Sequence, residues 1–281
     1  MDADLQMLLH ERGRMVKGNW QGQTIWLKKF TKKKRLGFMK IRDGMAKLNQ
    51  NPLYFSTEAR DNSQISGEVK RLKLLQARGI NVPEVLVHSD SWFVMTDKGD
   101  SLRHLLHSNS LSESERLTLL TQAVKALAQL HSAGMWHGRP VLRDLMWDGN
   151  AIAFVDFEED VGSKLSLQQC QVRDILIFLH NVTRYSQFSK WSNQQVVNSC
   201  IQTYRANAPA QVWGEALLVV KSMWGSYFIL WLTQSFNGKD GRAALEILRL
   251  MTEEHVRGRR RCYFYITLVG QVLLLQRLLD I

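Results

Sequence analysis

Residues 131–160 read HSAGMWHGRPVLRDLMWDGNAIAFVDFEED, and the reading of this stretch decides the fold. A helix ends at Ser132-Ala133-Gly134, and a loop then carries His137, Arg139, Arg143 and Asp144. Two apolar runs follow, Leu145-Met146-Trp147 and Ala151-Ile152-Ala153-Phe154-Val155, separated by Asp148-Gly149-Asn150. Asp-Gly between apolar runs specifies a hairpin, with a two-residue turn as the expected form. A hairpin brings its outer ends together, so Asp144, before the first strand, lies near Asp156, at the end of the second. Two carboxylates at strand ends suit a hard divalent cation that keeps waters and phosphate oxygens as its other ligands.

Working outward, Ser112 followed by Glu115 forms a capping box that opens a long helix through His131. Leu117, Leu120, Val124, Leu127 and Leu130 give that helix its apolar stripe. Further upstream a helix runs from Gln64 to about Arg78 and stops at Gly79, with Pro83 beyond it. Its inward side is marked by Val69, Leu72, Leu75 and Gln76, and Glu68 sits just before that stripe. Val85-Leu86-Val87 and the run Trp92 to Asp97 read as strands joined at Ser89-Asp90, leading to a hinge at Lys98-Gly99-Asp100. Nearer the start, Asn19 to Gln23 reads as a turn and Thr24 to Phe30 as a strand. Trp26 and Lys28 share one face of that strand, and Lys29 points the other way. Downstream, the run Val172 to Leu179 starts another helix, with Asp174 on it. Residues 212–236 and 262–279 are apolar helical stretches, expected as core, with Trp224, Tyr227 and Trp231 offering an interfacial face as the alternative.

This arrangement resembles the catalytic segment of the protein-kinase-like fold, in which a His-x-Asp loop is followed by a metal-binding Asn, whose place Asp144 takes here, then a hairpin and a second metal-binding Asp. The resemblance is closest to the bacterial lipopolysaccharide kinases, which act on 3-deoxy-manno-octulosonic acid or core heptose. His-Gly-Arg-Pro with the later Asp-Phe-Glu is similar to a branch called toluene-tolerance-like proteins. The resemblance implies ATP and Mg2+ as cofactors, with Asp144 and Asp156 holding the metal. It implies that Lys28 holds the α- and β-phosphates, that Glu68 orients Lys28, and that the base rests near Met95 to Gly99, beside Met95 and Asp97. His137 takes a structural place beneath the loop, and Asp174 accepts hydrogen bonds from the loop backbone. Beyond Asp144 in the Asn place, the chain departs from the family in two further places. Gly13, Gly18 and Gly22 form no glycine-rich phosphate loop, and Arg139 stands where the general base is expected. Loss of a general base costs about 10²–10⁴-fold in rate. An arginine there suits an anion, and it can either stabilise transferred charge or pair with Asp144, Asp156 or Glu158 and close the site. A replacement base would come from Asp144 or Glu158.

Bulk properties bound the remaining choices. At 45% hydrophobic and 22% charged residues the chain is an ordinary globular protein of 281 residues, long enough for one large or two small domains. A net charge of +11 favours an anionic partner. The basic run Lys32, Lys33, Lys34, Arg35, Lys40 and Arg42, and the cluster Arg257, Arg259, Arg260 and Arg261, read first as solvated surface. Their sharper reading is docking to an acidic glycolipid or the inner membrane. Residues 43–63 read as a polar loop. Cys170, Cys200 and Cys262 are far apart without CxxC spacing, which favours packing in a reduced compartment. His131 and His137 lack zinc-ligand spacing, the first residues lack a signal-peptide pattern, and no run reaches a membrane span.

The expected fold is α+β and bilobal: a small N-terminal antiparallel sheet plus helix over residues 1–98, then a larger, mainly helical lobe over 99–281. The expected function is ATP-dependent transfer of the γ-phosphate to a hydroxyl acceptor, with a nucleotide and an anionic glycolipid or sugar as partners and no nucleic acid. The expected location is the cytoplasm, with peripheral contact at the inner membrane. The alternatives are a pseudokinase binding module and a Ser/Thr protein kinase.

Overall fold

The computed structural model describes residues 3–30, 52–54, 63–108, 110–186, 193–223 and 239–258. The first basic run, most of the loop 43–63, Trp224, Tyr227, Trp231, the Arg259 cluster, Cys262 and the stretch 262–279 lie outside them. The chain divides into two compact units, residues 1–216 and 217–281. The second contributes one long described helix, Lys239–Gly258, whose polar and apolar residues separate onto different faces.

In the first unit, helix α1 (Ala3–His10) leads into strands β1 (Met15–Trp20) and β2 (Gln23–Lys29). Helix α2 (Ser63–Ala77) follows, then β3 (Val85–His88) and β4 (Trp92–Thr96). These strands form an antiparallel sheet in the order β1-β2-β4-β3. Strand alternation sorts β2 into two faces. Ile25 and Leu27 join Leu5, Leu8, Val16 and Val94 in a buried cluster under α1, while Trp26 and Lys28 face the opposite side. Lys29 fits this sorting, since its ammonium donates to the carbonyls of Leu9 and Glu11 at the end of α1. Gly18 serves α1 as well: a Cβ there would come within 2.5 Å of Leu8.

Helix α2 packs against β3 and β4 through buried Val69, Leu72 and Leu75, and it ends where Gly79 turns left-handed at φ +74°. Gln76, expected on the inward side, is exposed; a long polar side chain satisfied by water has no reason to occupy the apolar stripe.

Past the hinge come β5 (Asp100–Ser101), α3 (Leu102–His107), α4 (Glu113–Ser132), β6 (Leu145–Trp147), β7 (Ile152–Phe154), α5 (Leu167–Ser186), α6 (Asn193–Asn207) and α7 (Ala210–Ser222). The capping box at Ser112 and Glu115 is formed in both directions. α4 packs on α6 and α5, burying Leu120, Val124, Leu127 and Leu130. A second small sheet, β5-β6-β7, ties the hinge to the hairpin. The molecule is therefore α+β and kinase-like, with a small antiparallel sheet and helix followed by a mostly helical region. The hairpin turn differs from its expected form. Trp147 pairs with Ile152, leaving a four-residue loop, because Asp148 Oδ1 accepts from the amides of both Asn150 and Ala151 and widens the turn. Among the described residues no helix is long and apolar enough to cross a membrane.

Candidate active site

The hairpin register sets the geometry. Leu145 pairs with Phe154, and one step further out the Val155 amide donates to the Asp144 carbonyl at 3.0 Å. Asp144 and Asp156 therefore leave the same end of the ribbon. Asp156 adopts a left-handed backbone, φ +66°, a conformation that Asp tolerates better than most residues. It turns the chain back toward the first sheet, where Lys28 waits on β2. The Lys28 ammonium donates to Asp156 Oδ1 and Glu68 Oε1, each at 2.8 Å, and pairs with Glu158 Oε1 at 2.9 Å. Glu68 Oε1 also accepts from the Phe157 amide at 3.2 Å. Helix α2 thus grips both the strand lysine and the segment after the hairpin.

Electrostatics separates the carboxylates. Burial raises Glu68 above the usual range, against the opposing pull of Lys28. Burial would raise Asp156 too, but the Lys28 charge and hydrogen bond, with Arg139 and Arg14, hold it down at about 2. Asp144 goes the other way, pushed up to about 7 by burial and by the neighbouring Asp156 charge, with Arg139 and Arg143 only partly offsetting this. Its Oδ2 is buried without a hydrogen-bond partner. Two adjacent carboxylates with such opposed proton affinities, one of them carrying an orphaned oxygen, fit a divalent cation as their missing counter-charge.

Arg139 partly fills that role. Its guanidinium stands 3.3 Å from Asp156 Oδ2 and 3.7 Å from Asp144 Oδ2, while its Nε lies 3.4 Å from Glu159. Of the three acids named from the sequence as its partners, Asp144 and Asp156 are met, and Glu159 takes the place of Glu158. Glu158 is engaged by Lys28 and by Arg14, so it is not available as a replacement base. Glu159 is held in turn by Arg173 at 3.0 Å, whose Nε also donates to the Gly138 carbonyl.

Beneath the loop, fully buried Asp174 accepts from the His137 amide and, at 2.8 Å, from the Gly138 amide. His137 is held near pKa 4 by burial and is therefore neutral. Its Nδ1 accepts from the Arg139 amide, which assigns the proton to Nε2, donating to the Val155 carbonyl at 3.0 Å. Its ring lies 4.6 Å from that of Phe157. This is a structural imidazole that joins the loop to the hairpin.

A cavity of about 300 Å³ is lined by Lys28, Asp144 and Asp156 together with Met95, Thr96, Asp97 and Lys98. Asp97 lines it with its carboxylate already engaged by the Trp26 indole at 2.9 Å and the Lys17 ammonium at 2.8 Å. The structure thus brings Lys28, Glu68, Asp144, Asp156 and Arg139 into one cluster, with Met95 and Asp97 lining the same cavity and His137 and Asp174 as its support. Sequence reasoning missed Arg14, Glu159 and Arg173. Arg14 had one visible signal, its place in Glu11-Arg12-Gly13-Arg14 directly before a strand; the other two had none.

Residues 53–144 match the phosphotransferase enzyme family, a segment that includes Glu68, the hinge and Asp144. A Haemophilus influenzae protein described as uncharacterized is 25% identical over 221 residues, which is 79% of this chain and 82% of that protein. Over residues 53–144, then, the chain is similar to kinase-like phosphotransferases, and it carries their α+β fold.

Proposed function

We propose that this protein is a Mg-ATP-dependent phosphotransferase that passes the terminal phosphoryl group of ATP to a hydroxyl of a lipopolysaccharide-core sugar. One observation carries the reading: the Lys28 ammonium bridges Glu68 and Asp156 at 2.8 Å each on the wall of a nucleotide-sized cavity. In this reading Lys28 neutralises the α- and β-phosphates, Glu68 aims Lys28, and Asp144 with Asp156 would hold Mg2+. Bound there, the cation would neutralise charge on the transferring group. The bond to the β-phosphate oxygen breaks and the acceptor oxygen takes the phosphoryl group. The transition state is loose and calls for little proton abstraction, so an arginine at the base position is compatible with turnover. The acceptor's proton leaves to water or to an oxygen of the transferred phosphoryl group as the new bond forms.

A second reading is favoured by one contact. Arg139 sits between Asp144 and Asp156, where it would compete with a cation, as expected of a pseudokinase that binds partners without catalysis. An anionic glycolipid acceptor and peripheral contact with the cytoplasmic face of the inner membrane belong to the first reading.

The deciding experiment follows transfer of radiolabelled γ-phosphate to lipopolysaccharide precursors and to generic protein hydroxyls, with Asp156→Ala alongside. Label on the glycolipid that disappears in the variant supports the proposal. Label on protein alone moves the acceptor to Ser/Thr. Mg-ATP binding without transfer to either favours the pseudokinase, and equal transfer by Asp156→Ala removes the site.

A further inference from the structure

We propose that Arg14 grips the nucleotide's phosphates, doing with a side chain what a glycine-rich loop does with backbone amides; this rests on the phosphotransferase reading above. The β1–β2 connection cannot provide such a cover. Trp20 pairs with Gln23, so only Gln21 and Gly22 lie between the strands. The segment before β1 is Glu11-Arg12-Gly13-Arg14, turned by Gly13 at φ +119°. It ends with the Arg14 carbonyl accepting from the Lys29 amide at 2.8 Å. That bond anchors Arg14 beside Lys28, and both side chains line the same cavity as Asp144 and Asp156.

The charge balance shows why a further cation is needed. Lys28 is already shared by Glu68, Asp156 and Glu158. Arg139 offsets the Asp156 charge, but Glu68 and Glu158 together still outweigh the one ammonium, and a polyphosphate approaching them would be repelled. Arg14 supplies the compensating charge through its pair with Glu158 Oε1, the same oxygen that Lys28 takes. Its hydrogen-bonding capacity is not used up. A guanidinium has five donors in a fork matched to phosphate, and Arg14 Nε is buried without a hydrogen-bond partner. The arginine therefore lines the cavity and keeps one guanidinium donor without a partner.

The test is calorimetric titration of the full chain, in Mg2+, with ATP and with adenosine, for wild type, Arg14→Gln, Arg14→Lys and Glu158→Gln. Arg14→Gln should weaken ATP at least tenfold and leave adenosine unchanged. Arg14→Lys should recover part of the loss, and Glu158→Gln, which frees the guanidinium, should bind ATP at least as tightly as wild type. If Arg14 merely staples Glu158 in place, Arg14→Gln and Glu158→Gln will weaken ATP alike, and the proposal is overturned. It is also overturned if Arg14→Gln keeps the wild-type preference for ATP over adenosine, or if that variant fails to fold while Arg14→Lys binds ATP no better than adenosine. Wild type that binds neither ligand would instead overturn the phosphotransferase reading itself.

Discussion

The ammonium of Lys28 donates to Asp156 at 2.8 Å although 128 residues separate them in the chain. No local rule places them together. Strand alternation aims Lys28 away from α1, and the hairpin register with a left-handed turn at Asp156 returns that carboxylate to the sheet. The contact therefore reports on the joining of the sheet and the loop region into one site.

Replacing Lys28 with Met tests how much that junction depends on charge. Lys28 is 3% exposed and faces Glu68, Asp156 and Glu158. Its loss leaves three carboxylates with Arg14, on Glu158, and Arg139, on Asp156, as their nearby compensation. Breaking a buried pair on one side costs about 3–5 kcal/mol, and a loss of that size is expected in urea unfolding. The double variant Lys28→Met/Glu68→Gln should recover a measurable part, since it also removes an uncompensated acid. A single variant as stable as wild type would show that the cluster is not held by this cation.

Arg139 gives a prediction of opposite sign for metal and for catalysis. Because its guanidinium lies 3.3 Å from Asp156 and 3.7 Å from Asp144, Arg139→Gln removes a competitor for the divalent cation. Mn2+ affinity without nucleotide, read by electron paramagnetic resonance, should tighten about tenfold, equivalent to about 1.4 kcal/mol. Phosphoryl transfer should fall by on the order of 10³, as for loss of a charge-stabilising arginine. Unchanged Mn2+ affinity would mean that the guanidinium is not occupying the cation's place.

The parts legible in the sequence were those set by local chemistry. Capping at Ser112, the strand face shared by Trp26 and Lys28, the helix stop at Gly79 and the Asp-Gly hairpin each depend on a few neighbouring residues. The role of Asp174 was expected from the family resemblance, with the need of a carboxylate on an apolar helix for donors beside it, and the His137 and Gly138 amides donate to it. Arg14, Glu159 and Arg173 were illegible because their importance comes from long-range pairing. Arg14 reaches Glu158 across 144 residues, and nothing near residue 14 names that partner. Arg139 was legible as an anomaly, yet its choice of Glu159 over Glu158 depends on Lys28 and Arg14 having already taken the latter.

Asp144 sets a pH dependence. Its pKa rises from 3.8 to about 7 on folding, so the folded state holds a proton that the unfolded chain releases. The resulting stabilisation is full below pH 3.8 and is lost as pH climbs through about 7. A tenfold change in proton affinity corresponds to about 1.36 kcal/mol, which bounds the effect at about 4 kcal/mol. Asp144→Asn should therefore unfold at higher temperature than wild type at about pH 8, with the advantage shrinking toward about pH 4. Cation binding should follow the reverse course in wild type, weakening as pH falls below about 7, because the ligand must lose that proton. An Asn variant no more stable than wild type on the alkaline side would mean that the ionised carboxylate is fully compensated without a metal.

Gly99 couples the hinge to the hairpin, and a pair of alanine substitutions separates backbone conformation from contact. Gly99 and Gly149 both have left-handed backbones, φ +80° and +96°. A Cβ at Gly149 would meet nothing within 4 Å, so Gly149→Ala carries only the conformational cost, about 1–2 kcal/mol. At Gly99 the same atom would fall 2.2 Å from the Trp147 carbonyl oxygen and 3.1 Å from the Asp148 Cα. Both neighbours are backbone in the hairpin and cannot rotate aside like a side-chain tip. Relief requires parting Asp100 from Trp147, the pair that joins β5 to β6, and this shifts the Met95–Lys98 wall relative to Asp144. Gly99→Ala should thus cost about 2–4 kcal/mol in urea unfolding, combining strain with overpacking. It should also weaken ATP binding, while Gly149→Ala leaves the nucleotide affinity as it was. Equal losses in stability from the two variants, with ATP affinity the same in both, would show that the hinge and the metal-side hairpin move independently.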